Sequence, residues 1–151
     1  MIYIEVINQL WDAGRTFIHD RKEKREFHKY LSIVYTDEVK KIAWNKRYQL
    51  KMAPLSNDYF KYKLESGLHT GQWIATGELI NSLKVKGNYT IGFDNRRKHS
   101  SAHIRYIELA RLLEYGTLKI PPRPLFRLVY IQMSKNIRYY YNNWIKLKGD
   151  I

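Results

Sequence analysis

The residues that could do chemistry are few and scattered. His99 and His103 stand four apart, a spacing that on a helix puts both imidazoles on one face, as in a metal site. The glutamate of the zinc-protease motif does not stand between them, and no strong third ligand accompanies them. Ser100 and Ser101 lie between the two histidines without the flanking glycines of a nucleophile elbow. Glu108 and Glu114 are too isolated to argue a paired-carboxylate site. No cysteine is present, which removes a thiol nucleophile, a Cys zinc site and a disulfide framework together. Neither a phosphate-cradling glycine loop nor a dinucleotide fingerprint occurs. The expectation is a protein that is not an enzyme and holds no cofactor or metal.

One acid and one base stand out by their surroundings. Glu114 and Arg123 are each flanked by apolar residues, on either side of a tightly bracketed break. Burial would make either charge costly without a partner, so the two are expected to pair across the break. The stretch that positions them reads RYIELARLLEYGTLKIPPRPLFRLVY, from Arg105 to Tyr130. Tyr106, Leu109, Ala110 and Leu113 recur at helical spacing. Gly116 can then take the positive φ that follows a helix end, and Thr117 to Lys119 make a short polar turn. Pro121 and Pro122 hold extended backbone, and Pro124 suits the first turn of a new helix. Prolines bracing a crossover are the plain structural account of this elbow.

Around it, the periodicity predicts one α+β domain over residues 1–151, with a helical part at 1–54 and a core at 55–151. Tyr3, Ile7, Leu10, Trp11, Phe17 and Ile18 mark an amphipathic helix over 3–18. The charged run from His19 to Tyr30 reads as a solvated helix face or a connection, or else as a basic arm that touches phosphate. Thr36 is placed to cap a helix carrying Val39, Ile42 and Ala43 inward. Ser56 and Gly67 bracket a short helix that carries Tyr59, Phe60, Tyr62 and Leu64. Thr76 caps a turn that aims Leu79 and Ile80 at the core. Alternation over 82–94, with a turn at Gly87-Asn88, predicts a β-hairpin in a small antiparallel sheet, which Thr117 to Pro121 would extend. A long C-terminal helix runs from Pro124 to Lys148.

Two sets of motifs carry a resemblance. Leu113-Glu114-Tyr115-Gly116-Thr117 followed by Pro122-Arg123-Pro124-Leu125-Phe126-Arg127 is one. The other is Ala53-Pro54-Leu55-Ser56, Tyr59, Lys63 and Gly67, then Thr76-Gly77-Glu78-Leu79 and Ser82. In this order they resemble the virion morphogenesis and tail-completion (head–tail joining, neck) proteins of tailed bacteriophages, over roughly residues 53–130. The family more often places its aromatic directly after the Arg-Pro pair, where this chain has Leu125 before Phe126. The resemblance implies the same α+β outline and a structural role at the head–tail junction. It implies a homo-oligomeric ring that meets other neck, connector or tail proteins, in the virion and, during assembly, in the host cytoplasm. Thr76, Gly77, Leu79, Ser82, Glu114, Tyr115, Gly116, Thr117, Arg123 and Pro124 are the motif and interface candidates it marks.

Charge adds a second function class. The formal net charge is +13, which favours polyanions: nucleic acid, acidic protein or anionic lipid. Lys84, Lys86, Arg96, Arg97 and Lys98 fall on the predicted hairpin and its adjoining loop, and are the candidates to face packaged DNA without sequence preference. Thirteen tyrosines and four tryptophans suit either base stacking or a protein interface. A non-specific nucleic-acid-binding protein is therefore the alternative to the virion role. The start of the chain lacks a basic n-region and a cleavage site, and no apolar run approaches about 20 residues, so no membrane association is expected.

Overall fold

The computed structural model describes residues 18–45, 52–87, 90–93, 98–100 and 103–149. The helix expected over 3–18 lies almost wholly outside them, as do Arg96 and Arg97. Six helices and one two-stranded antiparallel ladder are described: α1 (Arg21–Trp44), α2 (Asn57–Glu65), α3 (Glu78–Asn81), β1 (Lys84–Val85), β2 (Ile91–Gly92), α4 (Tyr106–Tyr115), α5 (Phe126–Lys135) and α6 (Ile137–Gly149). This is an α+β fold with a small sheet and a long C-terminal helical stretch. The stretch is jointed at Asn136, whose side-chain amide donates to the Gln132 carbonyl while its own carbonyl accepts from Tyr139. None of the described helices is long and apolar enough to cross a membrane.

Helix α1 starts fifteen residues before the expected cap at Thr36. Asp20 caps it instead, its Oδ1 accepting from the amides of Lys22 and Glu23 at 2.8 and 2.9 Å. The hydroxyls of Ser32 and Thr36 are buried in mid-helix and donate back to the carbonyls of His28 and Ser32. An uninterrupted ladder through the charged segment therefore outcompetes a cap at Thr36. Other boundaries follow their expected chemistry. Ser56 caps α2 through the Tyr59 amide, and Gly67 stands past its end at φ +65°. Pro124 stands two residues ahead of α5 rather than in its first turn.

Two compact units divide the chain. The first takes Met1–Glu38, Val85–Ile91 and Arg127–Ile151. Its buried side chains include Phe27, Leu31 and Tyr35 of α1, Val129 and Met133 of α5, and Tyr140 and Trp144 of α6. The Phe27 ring meets Tyr141 edge-on at 5.7 Å and Trp144 at 5.2 Å, so aromatic packing ties α1 to α6. The second unit takes Val39–Lys84 and Gly92–Phe126 and contains the elbow. Within it, Phe126 packs near-perpendicular to Trp73 and Phe93, with ring centres at 5.4 and 6.2 Å. Trp73, Ile74, Leu79, Ile80, Leu83, Phe93, Ala110 and Leu125 are buried in the same unit.

The predicted third strand does not form. Thr117 to Ile120 closes as a turn: the Thr117 amide donates to the Ile120 carbonyl, and Thr117 Oγ1 accepts from the amides of Lys119 and Ile120. Those donors are used locally, and Pro121 and Pro122 supply none, so no ladder can propagate there. His99 and His103 do not share a helical face. His103 has φ +52° and closes a tight loop, its amide on the His99 carbonyl and the His99 amide on the Ile104 carbonyl.

Candidate functional site

The second unit places three charged side chains where apolar ones are usual. Lys63, Glu114 and Arg123 are all nearly inaccessible, with Lys63 only 1% exposed. Each binds backbone. Helix α2 is short, its four large apolar residues Tyr59, Phe60, Tyr62 and Leu64 stand 44–56% exposed, and Lys63 is the residue it buries. The Lys63 ammonium donates to the carbonyls of Gly71 and Ile74 at 2.6 and 2.7 Å. It also lies 5.2 Å from the centre of the Tyr59 ring. Burial pushes its pKa down to about 8, and the neighbouring Arg123 cation adds to the shift.

Arg123 and Glu114 do not form the expected pair. The Arg123 guanidinium reaches back to the carbonyls of Ala53 and Pro54, both at 3.0 Å. Glu114 Oε2 accepts from the amides of Leu125 and Phe126 at 2.8 and 3.1 Å. The carboxylate thus satisfies donors at the start of α5 that the helix itself leaves open, and its charge suits the positive helix end. The elbow is pinned by two separate charge-to-backbone links instead of one ion pair. Main-chain links complete it: the Arg123 amide donates to the Leu113 carbonyl at 2.7 Å, and the Arg123 carbonyl accepts from Trp73 Nε1 at 2.8 Å.

These links bring the two separated motif sets into one framework. Ala53 and Pro54, Tyr59 and Lys63, Glu114, and Arg123 are joined directly or through Trp73 and Ile74. Gly116 shows why glycine is required at the turn. At φ +73°, a Cβ there would stand 2.6 Å from the Ile120 carbonyl oxygen and 2.7 Å from the Pro122 nitrogen. Beyond this brace the elbow tip is open: Tyr115 and Ile120 are exposed and Leu118 is fully so.

The Thr-Gly-Glu-Leu element forms a smaller cluster in the same unit. Thr76 Oγ1 accepts from the Glu78 amide at 3.4 Å, Leu79 is buried, and Ser82 Oγ donates to the Leu79 carbonyl at 2.7 Å. Gly77, at φ +86°, caps α3, and a Cβ on it would press to 3.2 Å against the Trp44 ring. Glu78 accepts from the Ser100 hydroxyl at 2.6 Å and from the Tyr106 hydroxyl at 3.3 Å. The Ser100 bonds hold its carboxyl below the usual range. Thr76, Glu78, Asn81, Ser82, Lys84 and Tyr106 line an open pocket of ≈ 320 Å³ there. Among the described residues no group of three His, Cys, Asp or Glu side chains could hold a metal ion.

Lys84, Lys86 and Lys98 are exposed, Lys84 as the first residue of β1, Lys86 just past its end, and Lys98 in an isolated antiparallel bridge with Arg105. Sequence periodicity missed the inward turn of Lys63 and the anchoring role of Trp73. The available signal was Lys63 standing one turn after Tyr59 in an aromatic-rich helical run. Comparison of the chain with protein-family models, curated proteins and solved structures finds no match.

Proposed function

We propose that this chain is a structural virion protein of a tailed phage, acting at the head–tail junction and assembling as a ring that joins connector to tail. One observation carries the reading. The residues that resemble the tail-completion family lie far apart in sequence, yet their buried charges brace one elbow and leave its apolar tip exposed. Such a brace has an architectural use. It holds Tyr115, Leu118 and Ile120 in a single shape before contact, so little ordering entropy opposes docking. A ring needs heterologous contacts that close on themselves, and a rigid projecting element suits one side of such a contact.

Native mass spectrometry of the purified chain, alone and with its neighbouring connector and tail proteins, tests the proposal. The expected result is a closed oligomer, or stoichiometric addition to a partner ring, that Leu118→Asp abolishes while the monomer stays folded. A strict monomer under every condition would overturn it, as would assembly indifferent to Leu118→Asp and Tyr115→Ser together.

A further inference from the structure

Among the described residues, one cluster of exposed cations lies away from the hairpin. Over its first three turns α1 carries Arg21, Lys22, Arg25 and Lys29, all exposed. Lys22, Arg25 and Lys29 follow i, i+3 and i+7, and Arg21 sits one turn before Arg25, so the four share one side of the helix. Phe27, Leu31 and Tyr35 occupy the opposite, buried side. None of the four cations enters an ion pair or a side-chain hydrogen bond among the described residues.

The acids of the same segment are all engaged elsewhere. Asp20 caps the helix. Glu23 and Glu26 both bind the Lys148 ammonium of α6, at 3.1 and 3.3 Å, on the flank where Trp144 also stacks on that lysine. The next acid along the helix is Asp37, eight residues beyond Lys29. The four cations are thereby left outside the ion pairs that these acids make. The helix does not gain from them: Arg21 and Lys22 sit at the positive end of the macrodipole, where a cation costs about 0.3–1 kcal/mol. Local stability therefore does not account for the stripe.

We propose that this face of α1 binds the phosphate backbone of duplex nucleic acid without reading sequence. From Lys22 to Lys29 the helix rises about 10 Å, and a DNA strand presents a phosphate about every 3.4 Å of axis. The stripe thus spans about three such intervals, a continuous line of about four phosphates, with Arg21 and Arg25 offering forked donors that suit phosphate oxygens. An acidic protein would present discrete carboxylates to which an unbroken ridge is less well matched. Arg and Lys can also reach guanine edges, but cations spaced along one strand's phosphates meet the backbone whatever the base, so the proposed binding is sequence-blind. The inference is independent of the head–tail reading, because the stripe lies in the first unit and the elbow in the second.

Fluorescence anisotropy with a labelled mixed-sequence duplex of about 20 base pairs tests it, titrated from about 50 to about 200 mM salt. Four phosphate contacts contribute a log–log slope of about −3.6, which is roughly a hundredfold loss of affinity across that range. The combined variant Arg21→Gln, Lys22→Gln, Arg25→Gln and Lys29→Gln should remove that part of the slope. Arg25→Gln with Lys29→Gln should remove about half, which keeps the test open should the fourfold variant unfold. Lys84→Gln, Lys86→Gln and Lys98→Gln together should leave most of the binding in place. Wild-type affinity and slope in both α1 variants would overturn the proposal. So would displacement of the duplex by an equimolar poly-glutamate peptide, which would reassign the face to an acidic protein.

Discussion

Replacing Glu114 tests whether a buried carboxylate, rather than an ion pair, fixes the elbow. In Glu114→Ala the amides of Leu125 and Phe126 lose the oxygen that accepts from both, at 2.8 and 3.1 Å, and stay buried at the start of α5. An orphaned buried donor costs about 1–3 kcal/mol, so two cost about 3–5 kcal/mol once partial relaxation is allowed. Glu114→Gln keeps an acceptor of similar reach and loses only the charge, which is worth about 1–2 kcal/mol at a helix N-terminus with charge-assisted bonds. Urea unfolding followed by circular dichroism reads both variants. In thermal terms each kcal/mol is about 2–4 °C for a chain of this size. The alanine variant should therefore melt about 8–15 °C below wild type, with glutamine clearly between them. Equal losses for the two variants, or an alanine loss under about 1 kcal/mol, would refute the reasoning.

Two further perturbations address the same framework. Gly116→Ala should destabilise the chain by about 2–4 kcal/mol, because its Cβ would meet the Ile120 carbonyl and the Pro122 nitrogen at a φ that L-residues resist; a melting temperature within a degree or two of wild type would contradict this. Lys63 loses its proton near pH 8 in the fold and near 10.5 when unfolded, so the unfolded chain binds more protons between those values and stability rises with pH across them. The rise amounts to at most about 3 kcal/mol and is absent in Lys63→Met, so the wild-type minus variant stability should climb from pH 8 to 10; a flat difference would disprove it. From the ordinary tyrosine pKa of 10.0 upward, Tyr30, Tyr59 and Tyr140, raised by burial, hold their protons longer in the fold and work in the opposite direction.

Local chemistry was enough to read much of this chain. Ser56 and Gly67 bracket α2, Gly116 ends α4 and, within the predicted hairpin, Lys84–Val85 pairs with Ile91–Gly92, because capping, left-handed φ and period-two burial depend on neighbours a few residues away. The elbow was legible for the same reason, since glycine, threonine and prolines each restrict their own backbone. What the buried charges bind was not legible. Glu114 and Arg123 look like partners when only their signs and spacing are known. In the fold, amides opened by the start of α5 and carbonyls seventy residues upstream are closer and geometrically better matches. Lys63 turns inward for a like reason: only the folded loop brings the carbonyls of Gly71 and Ile74 together around its ammonium. The cap at Thr36 gave way to the long helix from Asp20, a choice set by the packing of Phe27, Leu31 and Tyr35 and not by Thr36 itself. Charge sign and turn chemistry are properties of residue types, whereas hydrogen-bond partners across tens of residues depend on which backbone groups the packed core leaves open.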